Sequence, residues 1–236
     1  MAELYAKLEV LNPEVHKNLK FKPPASMDLF KDLNNSVILV TEFSEAAKFY
    51  PIVFMGGGKQ GLTPVVLLGV EKNSFVEEDG SWKKGCYIPA FFRRYPFILV
   101  EDEKINQEAG ERKIFVAIDR AYEGFNEEEG ERLFDDEGKE TEFLRNLVQF
   151  LLTYDRDYQL TMEFVKTLEE LDLLQGIEAT VKTESGNTVV IKNLYGVEER
   201  KLNQLKTEDV DRLFRRGFLG AIYAHLMSLS NLGRIV

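Results

Sequence analysis

Residues 52–70 read IVFMGGGKQGLTPVVLLGV. Two apolar, β-branched runs, Ile52–Met55 and Val65–Val70, flank a glycine-rich break that opens at Gly56–Gly58. Each run has the length of a strand rather than of a helix, and β-branched residues suit a pleated, half-buried surface. The gap between them is shorter than the dozen or so residues a parallel crossover needs, so the pair is expected to be antiparallel. The same pattern extends outward. Val37–Val40, Tyr87–Ala90, Phe97–Val100 and Lys113–Ile118 are further short runs, with turn signals at Asp79-Gly80 and Glu108–Gly110. Ser36–Ile118 therefore predicts a mainly antiparallel sheet. One short helix, Thr41–Tyr50, interrupts it before Pro51, with Thr41 as its cap.

Upstream, Pro13, Pro23 and Pro24 break any long element, so residues 1–35 predict an irregular N-terminal arm. Downstream the period changes. Leu144, Leu147, Leu151 and Tyr154 recur at three- and four-residue steps behind a capping Thr141. A second helix is expected over Tyr158–Leu174. Ile177–Thr183 and Thr188–Ile191 alternate around Ser185-Gly186 as a small hairpin near 177–191. A last helix is expected from Thr207 towards Asn231. Its small residues Gly217, Gly220, Ala221, Ala224 and Ser228 form a stripe that suits burial against another element. The fold class is α+β: a sheet of about residues 36–118 packed against helices from the second half. No Pro/Gly linker is evident, so 36–236 reads as a single domain behind the arm.

The chain carries ten more acids than bases. All of that excess lies in residues 101–142, where sixteen acids meet six bases. A solvated acidic lobe is the plain reading; a cation-binding surface or a clamp over the basic 83–94 segment is the sharper one. Nucleic acid is not an expected partner, because phosphate binding needs a basic face. The single cysteine, Cys86, precludes an internal disulfide and a cysteine-based zinc cluster. The N-terminus lacks the apolar core of a secretory signal, and residues 217–233, though free of Asp, Glu, Lys and Arg, fall short of a membrane span. The expected location is cytoplasmic, with export by a non-classical route left open.

Several motifs fail on inspection. The run Gly56–Gly61 is followed by Leu62-Thr63, so it lacks the lysine of a phosphate-binding loop. Asp135-Asp136-Glu137-Gly138 lacks the alternating ligands of a calcium loop. The two histidines, His16 and His225, are too few for a multi-histidine metal centre. No cofactor and no metal are expected. His225, inside the uncharged C-terminal segment, is either a core histidine satisfied by the backbone or a proton carrier at a cavity edge.

The strongest functional signal is WKKGCYIPAFFRRYPFILV, residues 82–100. Residues 81–100 hold four bases and no acid in an acidic chain, interleaved with six aromatics. If Phe91–Pro96 is extended, Phe91, Arg93 and Tyr95 share one face while Phe92 and Arg94 share the other. Arginine offers bidentate geometry to carboxylate or phosphate, and the aromatics offer rigid stacking area. Trp82, Tyr87, Arg93, Arg94, Tyr95 and His225 are the candidate site residues. Their expected ligand is an anionic small molecule, peptide or protein partner. The competing reading neutralises both arginines with the acidic lobe. No oligomeric state can be read.

EFSEAAKFYPIVF (42–54), WKKGCYIPAFFRRYPFILV (82–100), RLFDDEG (132–138) and YAHLMSL (223–229) occur in an order and spacing that resemble the bacterial SapC family of surface-array-associated proteins. YIPAFFRRYPF is the most specific piece, and the resemblance covers the chain from about residue 36. It implies a soluble protein of about this length connected with surface-layer systems. The tendency of related genes to lie near outer-membrane receptor and oxygenase genes implies the handling of a small molecule or modified peptide. The expected function is accordingly a non-catalytic accessory or binding protein in assembly, export or handling of a surface component. The alternative is a small-molecule or peptide-modifying enzyme, with a pocket between the 82–97 segment and the C-terminal helix.

Overall fold

The computed structural model describes residues 4–56, 61–101, 113–182 and 186–235. Most of the glycine-rich run, the turn expected at Glu108–Gly110, and Ser185 at the hairpin tip lie outside the described residues. The strands in chain order are β1 Leu8–Val10, β2 Lys20–Phe21, β3 Asn35–Val37, β4 Ile52–Gly56, β5 Leu62–Leu67 and β6 Phe97–Glu101. They continue with β7 Ile114–Asp119, β8 Phe125–Asn126, β9 Glu131–Arg132, β10 Leu174–Lys182 and β11 Thr188–Val197. The α-helices are α1 Pro13–His16, α2 Phe43–Ala46, α3 Ala90–Arg93, α4 Glu142–Glu170, α5 Glu199–Leu202, α6 Thr207–Arg215 and α7 Phe218–Ser228.

The class is α+β, and every sheet is antiparallel. The chain divides into two compact units, each assembled from two separated stretches. Residues 1–25 and 92–156 form the first; residues 26–91 and 157–236 form the second. The strands of the first half therefore sort into different sheets.

The first unit holds two three-stranded sheets, ordered β1-β7-β6 and β8-β2-β9. The segment read as an irregular arm supplies β1 and β2 to them. Phe21, Phe97, Ile118, Phe125, Leu133 and Leu144 are among its buried core. Phe97 meets Phe21 and Phe125 edge-on at 5.0 and 5.5 Å between ring centres.

The second unit holds a five-stranded sheet, β10-β11-β4-β5-β3. The β4–β5 hairpin pairs Ile52 with Val66 through to Gly56 with Leu62, as the quoted stretch predicts. Ile52, Val53 and Phe54 are all buried, as befits a strand covered on both faces. The predicted hairpin joins this sheet through Tyr195, which pairs with Phe54. Phe164 of α4 anchors the helical layer: its ring meets Phe43, Phe54 and Phe218 at 5.8, 6.3 and 5.1 Å.

Three local expectations change. Tyr87–Ala90 forms no strand, because its polar groups are taken by side chains described below. The two helices expected over 141–174 are one. No Gly or Pro interrupts 142–170, and the apolar spacing continues through Tyr158, Thr161, Val165 and Leu168. Thr141 caps it, accepting from Leu144 N at 3.3 Å. The last helix is instead two, α6 and α7. Gly217 between them has φ +73°, a left-handed conformation that stops the first helix. Thr207 is already helical, and Lys206 holds the cap position.

Candidate functional site

Glu42 sits at the start of α2, 7 % exposed. Its Oε2 accepts from Leu39 N at 3.0 Å; its Oε1 accepts from Tyr87 Oη at 2.6 Å and from Ala90 N at 2.8 Å. This carboxylate takes the Ala90 backbone N–H and the Tyr87 side-chain hydroxyl, so the segment is held by a side chain and not by a neighbouring strand. Tyr50 ties the same region together. Trp82 Nε1 donates to Tyr50 Oη at 3.1 Å, and Tyr50 Oη donates to the Tyr87 carbonyl. Burial pushes the Tyr50 phenol well above its usual range, so it stays protonated and remains a donor. Trp82 is buried and stacks on Phe75.

Arg93, Arg94 and Tyr95 belong to the first unit. Because Ala90–Arg93 is a helical turn, the alternation expected of an extended segment does not hold. Arg93 is exposed, its guanidinium 5.5 Å from the Phe150 ring centre. Arg94 is half-buried, 4.4 Å from the ring centre of Tyr154 and 5.9 Å from that of Tyr5. Tyr95 is buried and donates its hydroxyl to Asp119 Oδ2 at 3.1 Å. Asp119 also accepts from the backbone N–H groups of Ala6, Lys7 and Ala121 at 2.9–3.1 Å. Burial pulls its carboxyl upward, but these donors outweigh it and hold the group below the ordinary aspartate range. Burial and the Asp119 charge push the Tyr95 phenol up.

His225 on α7 is fully buried. Nδ1 donates to the Ile52 carbonyl at 2.8 Å, and Nε2 accepts from Val197 N at 3.0 Å. The two peptide groups fix the neutral tautomer, and burial drops the ring to a pKa of about 4. One turn on, Ser228 Oγ accepts from Ile52 N at 2.9 Å. The pair binds α7 to β4 and β11.

A groove of about 360 Å³ lies beside α7 in the second unit. Val40, Thr41, Phe43 and Ser44 line one wall; Leu160 and residues 216–218, 220, 221 and 224 complete it. The small-residue stripe is thus not wholly packed away: Gly217 and Gly220 are exposed and Ala224 is half-buried. The first turn of α7, which faces this space through Phe218, Gly220 and Ala221, is the positively polarised end of the helix and contains no acid. Arg216 at the edge stacks 5.1 Å from the Phe218 ring centre and pairs with Glu163.

Tyr50 joins Trp82 to Tyr87, and Tyr5 lies against both Arg94 and Tyr95. His225 is held by Ile52 and Val197. The groove residues Thr41, Ser44 and Arg216 escaped the sequence reading. Their signal was the glycine spacing beside Arg216, which looks the same whether a helix or a ligand covers it.

Among the described residues no group of three or more His, Cys, Asp or Glu is placed to hold a metal ion. No described helix is long and apolar enough to cross a membrane. No curated protein and no solved structure matches the chain. The SapC family model matches residues 11–235. Glu42, Tyr50, Trp82, Tyr87 and Ala90, which the buried network links, fall in two of the four segments that carried the resemblance, 42–54 and 82–100. The chain belongs to the SapC family.

Proposed function

We propose that this protein is an accessory binding protein of the SapC type that handles a surface component, and that its ligand carries an apolar body with an acidic group. The groove beside α7 carries this reading. Its walls are mainly apolar; its polar members are Ser44, Thr41, which donates to Asp157, and Arg216, which pairs with Glu163 and keeps further guanidinium N–H donors for an acidic group. The apolar body would lie over Gly220 and Ala224, and the acidic group at Arg216 and the first turn of α7.

The test is an NMR titration of the isotope-labelled protein with a medium-chain alkyl carboxylate, run beside the alcohol of equal length. The carboxylate is expected to perturb residues 40–44 and 216–224 at lower concentration than the alcohol. Arg216→Gln should erase that advantage, and Gly220→Leu should abolish both responses. Equal responses to acid and alcohol, or perturbations elsewhere, would remove the reading.

A second surface is favoured by exposure. Arg93 of the aromatic–arginine segment, in the first unit, is exposed. If this segment binds an acidic partner, Arg93→Gln should weaken capture of whatever co-purifies with the protein and lower its melting only slightly. Loss of stability without loss of capture would make Arg93 a packing residue.

A further inference from the structure

The strand order leaves β10 at one end of the five-stranded sheet, with β11 as its strand neighbour among the described residues. An edge strand presents a row of backbone donors and acceptors that can pair with another chain. Natural edges block this with proline, an inward-pointing charge, a bulge, outward charges or a covering helix or loop; here the outward charges are one acid, Glu178, and one base, Lys182. Residues 174–182 contain no proline, and the inward positions Ala179 and Val181 are apolar and buried. The irregularity of the hairpin falls on the other strand. Between the pairs Ile177↔Leu194 and Ala179↔Ile191, β11 carries the extra residue, with Asn193 at φ +60°. β10 itself runs uninterrupted.

The exposed face of this edge is Glu178, Thr180 and Lys182. Read backwards, the charges exchange places. Two such strands laid antiparallel about Thr180 set each Glu178 opposite Lys182 of the other copy. Shifting the register by two residues either way breaks that match, and centring it on Glu178 sets two acids face to face. Thr180 pairs with Val190 on β11, so the central row across four strands would be β-branched throughout, as cross-strand packing favours. Glu178 has an acceptor to spare: its contact with Lys192 is 3.9 Å, between side chains 62 % and 66 % exposed.

We propose that β10 is a self-recognition edge, and that two copies of this protein pair through residues 178–182 in antiparallel register about Thr180. The interface is isologous, so it closes as a dimer. It stands independently of the groove.

The experiment uses the full chain with Cys86→Ala as background. Directly opposed residues in an antiparallel pair lie about 4.5–5.5 Å apart at Cα, within disulfide reach. Under mild oxidation Thr180→Cys should give a disulfide-linked dimer. Glu178→Cys and Lys182→Cys should cross-link with each other when mixed, and neither with itself. In sedimentation, Glu178→Lys and Lys182→Glu should each weaken the dimer by about tenfold or more, since each change opposes like charges at two symmetric places. The double swap restores the match and should restore the dimer; this rescue separates lost recognition from a lost fold. A chain that sediments as a monomer at every concentration overturns the proposal. So does a dimer indifferent to the swaps, or cross-linking in another register.

Discussion

Tyr87 donates its hydroxyl hydrogen to Glu42 Oε1 at 2.6 Å, across forty-five positions of sequence. The acceptor is a buried carboxylate that also takes the Ala90 and Leu39 N–H groups, so its removal strands donors where water does not reach. Tyr87→Phe should lower stability by about 1.5–3 kcal/mol, the range for a hydrogen bond to a charged group. Glu42→Ala should cost more, because several donors lose their acceptor together. Denaturant midpoints at constant slope measure both. A Tyr87→Phe protein as stable as the parent would favour a ligand-binding role for Tyr87 over a structural one.

Neighbouring arginines should behave differently. Arg94 is half-buried against the Tyr154 ring at 4.4 Å, whereas Arg93 is exposed over Phe150 at 5.5 Å. Stacking of a desolvated guanidinium is worth about 2 kcal/mol, and of an exposed one about 0.5–1 kcal/mol. Arg94→Gln is therefore expected to lower the denaturant midpoint clearly, and Arg93→Gln only slightly. Tyr95→Phe should cost about 1.5–3 kcal/mol through the lost bond to the ionised Asp119. Equal losses from the two arginine variants would contradict this assignment.

His225 makes stability depend on pH. Its ring falls from an ordinary 6.5 to about 4 in the folded chain because burial penalises the charged form. Above about pH 6.5 neither state holds the proton. Between there and about pH 4 the unfolded chain binds it and the folded chain does not, so acid favours unfolding across that window. Below the lower value both states are protonated and the loss stops growing. The full effect is of order 3 kcal/mol. Urea midpoints measured from pH 7 to pH 4 should fall more steeply for the parent than for His225→Gln. Parallel profiles would place the acid sensitivity elsewhere.

The parts of the fold that could be read from sequence are those made by near neighbours. The β4–β5 and β10–β11 hairpins announce themselves within twenty residues or so, the first by two apolar runs and the second by alternation, each about a glycine-bearing break. What could not be read depends on distant partners. Tyr87–Ala90 has strand-like composition, yet Glu42 takes the Tyr87 hydroxyl and the Ala90 N–H, and Tyr50 takes the Tyr87 carbonyl. Leu8–Val10 and Lys20–Phe21 are too short to show a period, and exist as strands because β7, β8 and β9 lie beside them. The join at Asp155–Tyr158 looked like a boundary because its residues are polar. A helix needs a breaker to stop, and none is there. At the groove, a stripe of small residues promises close approach by something, and sequence alone does not say what approaches.

Gly217 and Gly220 belong to that stripe and should respond to alanine with opposite signs. A Cβ added at either would meet nothing within 4 Å, so packing does not distinguish them. Backbone does. Gly217 has φ +73°, where an L side chain costs about 1–2 kcal/mol. Gly220 is a helical residue in the first turn of α7, where replacing glycine by alanine gains up to about 1 kcal/mol by restricting the unfolded chain. Gly217→Ala should therefore destabilise and Gly220→Ala should stabilise, both read from urea midpoints. The comparison also tests the break between α6 and α7. In one continuous helix from Thr207, both glycines would be ordinary helical positions, and both substitutions would stabilise. A gain from Gly217→Ala would mean that the chain does not turn there, and that the first turn of α7 is not a helix end facing the groove.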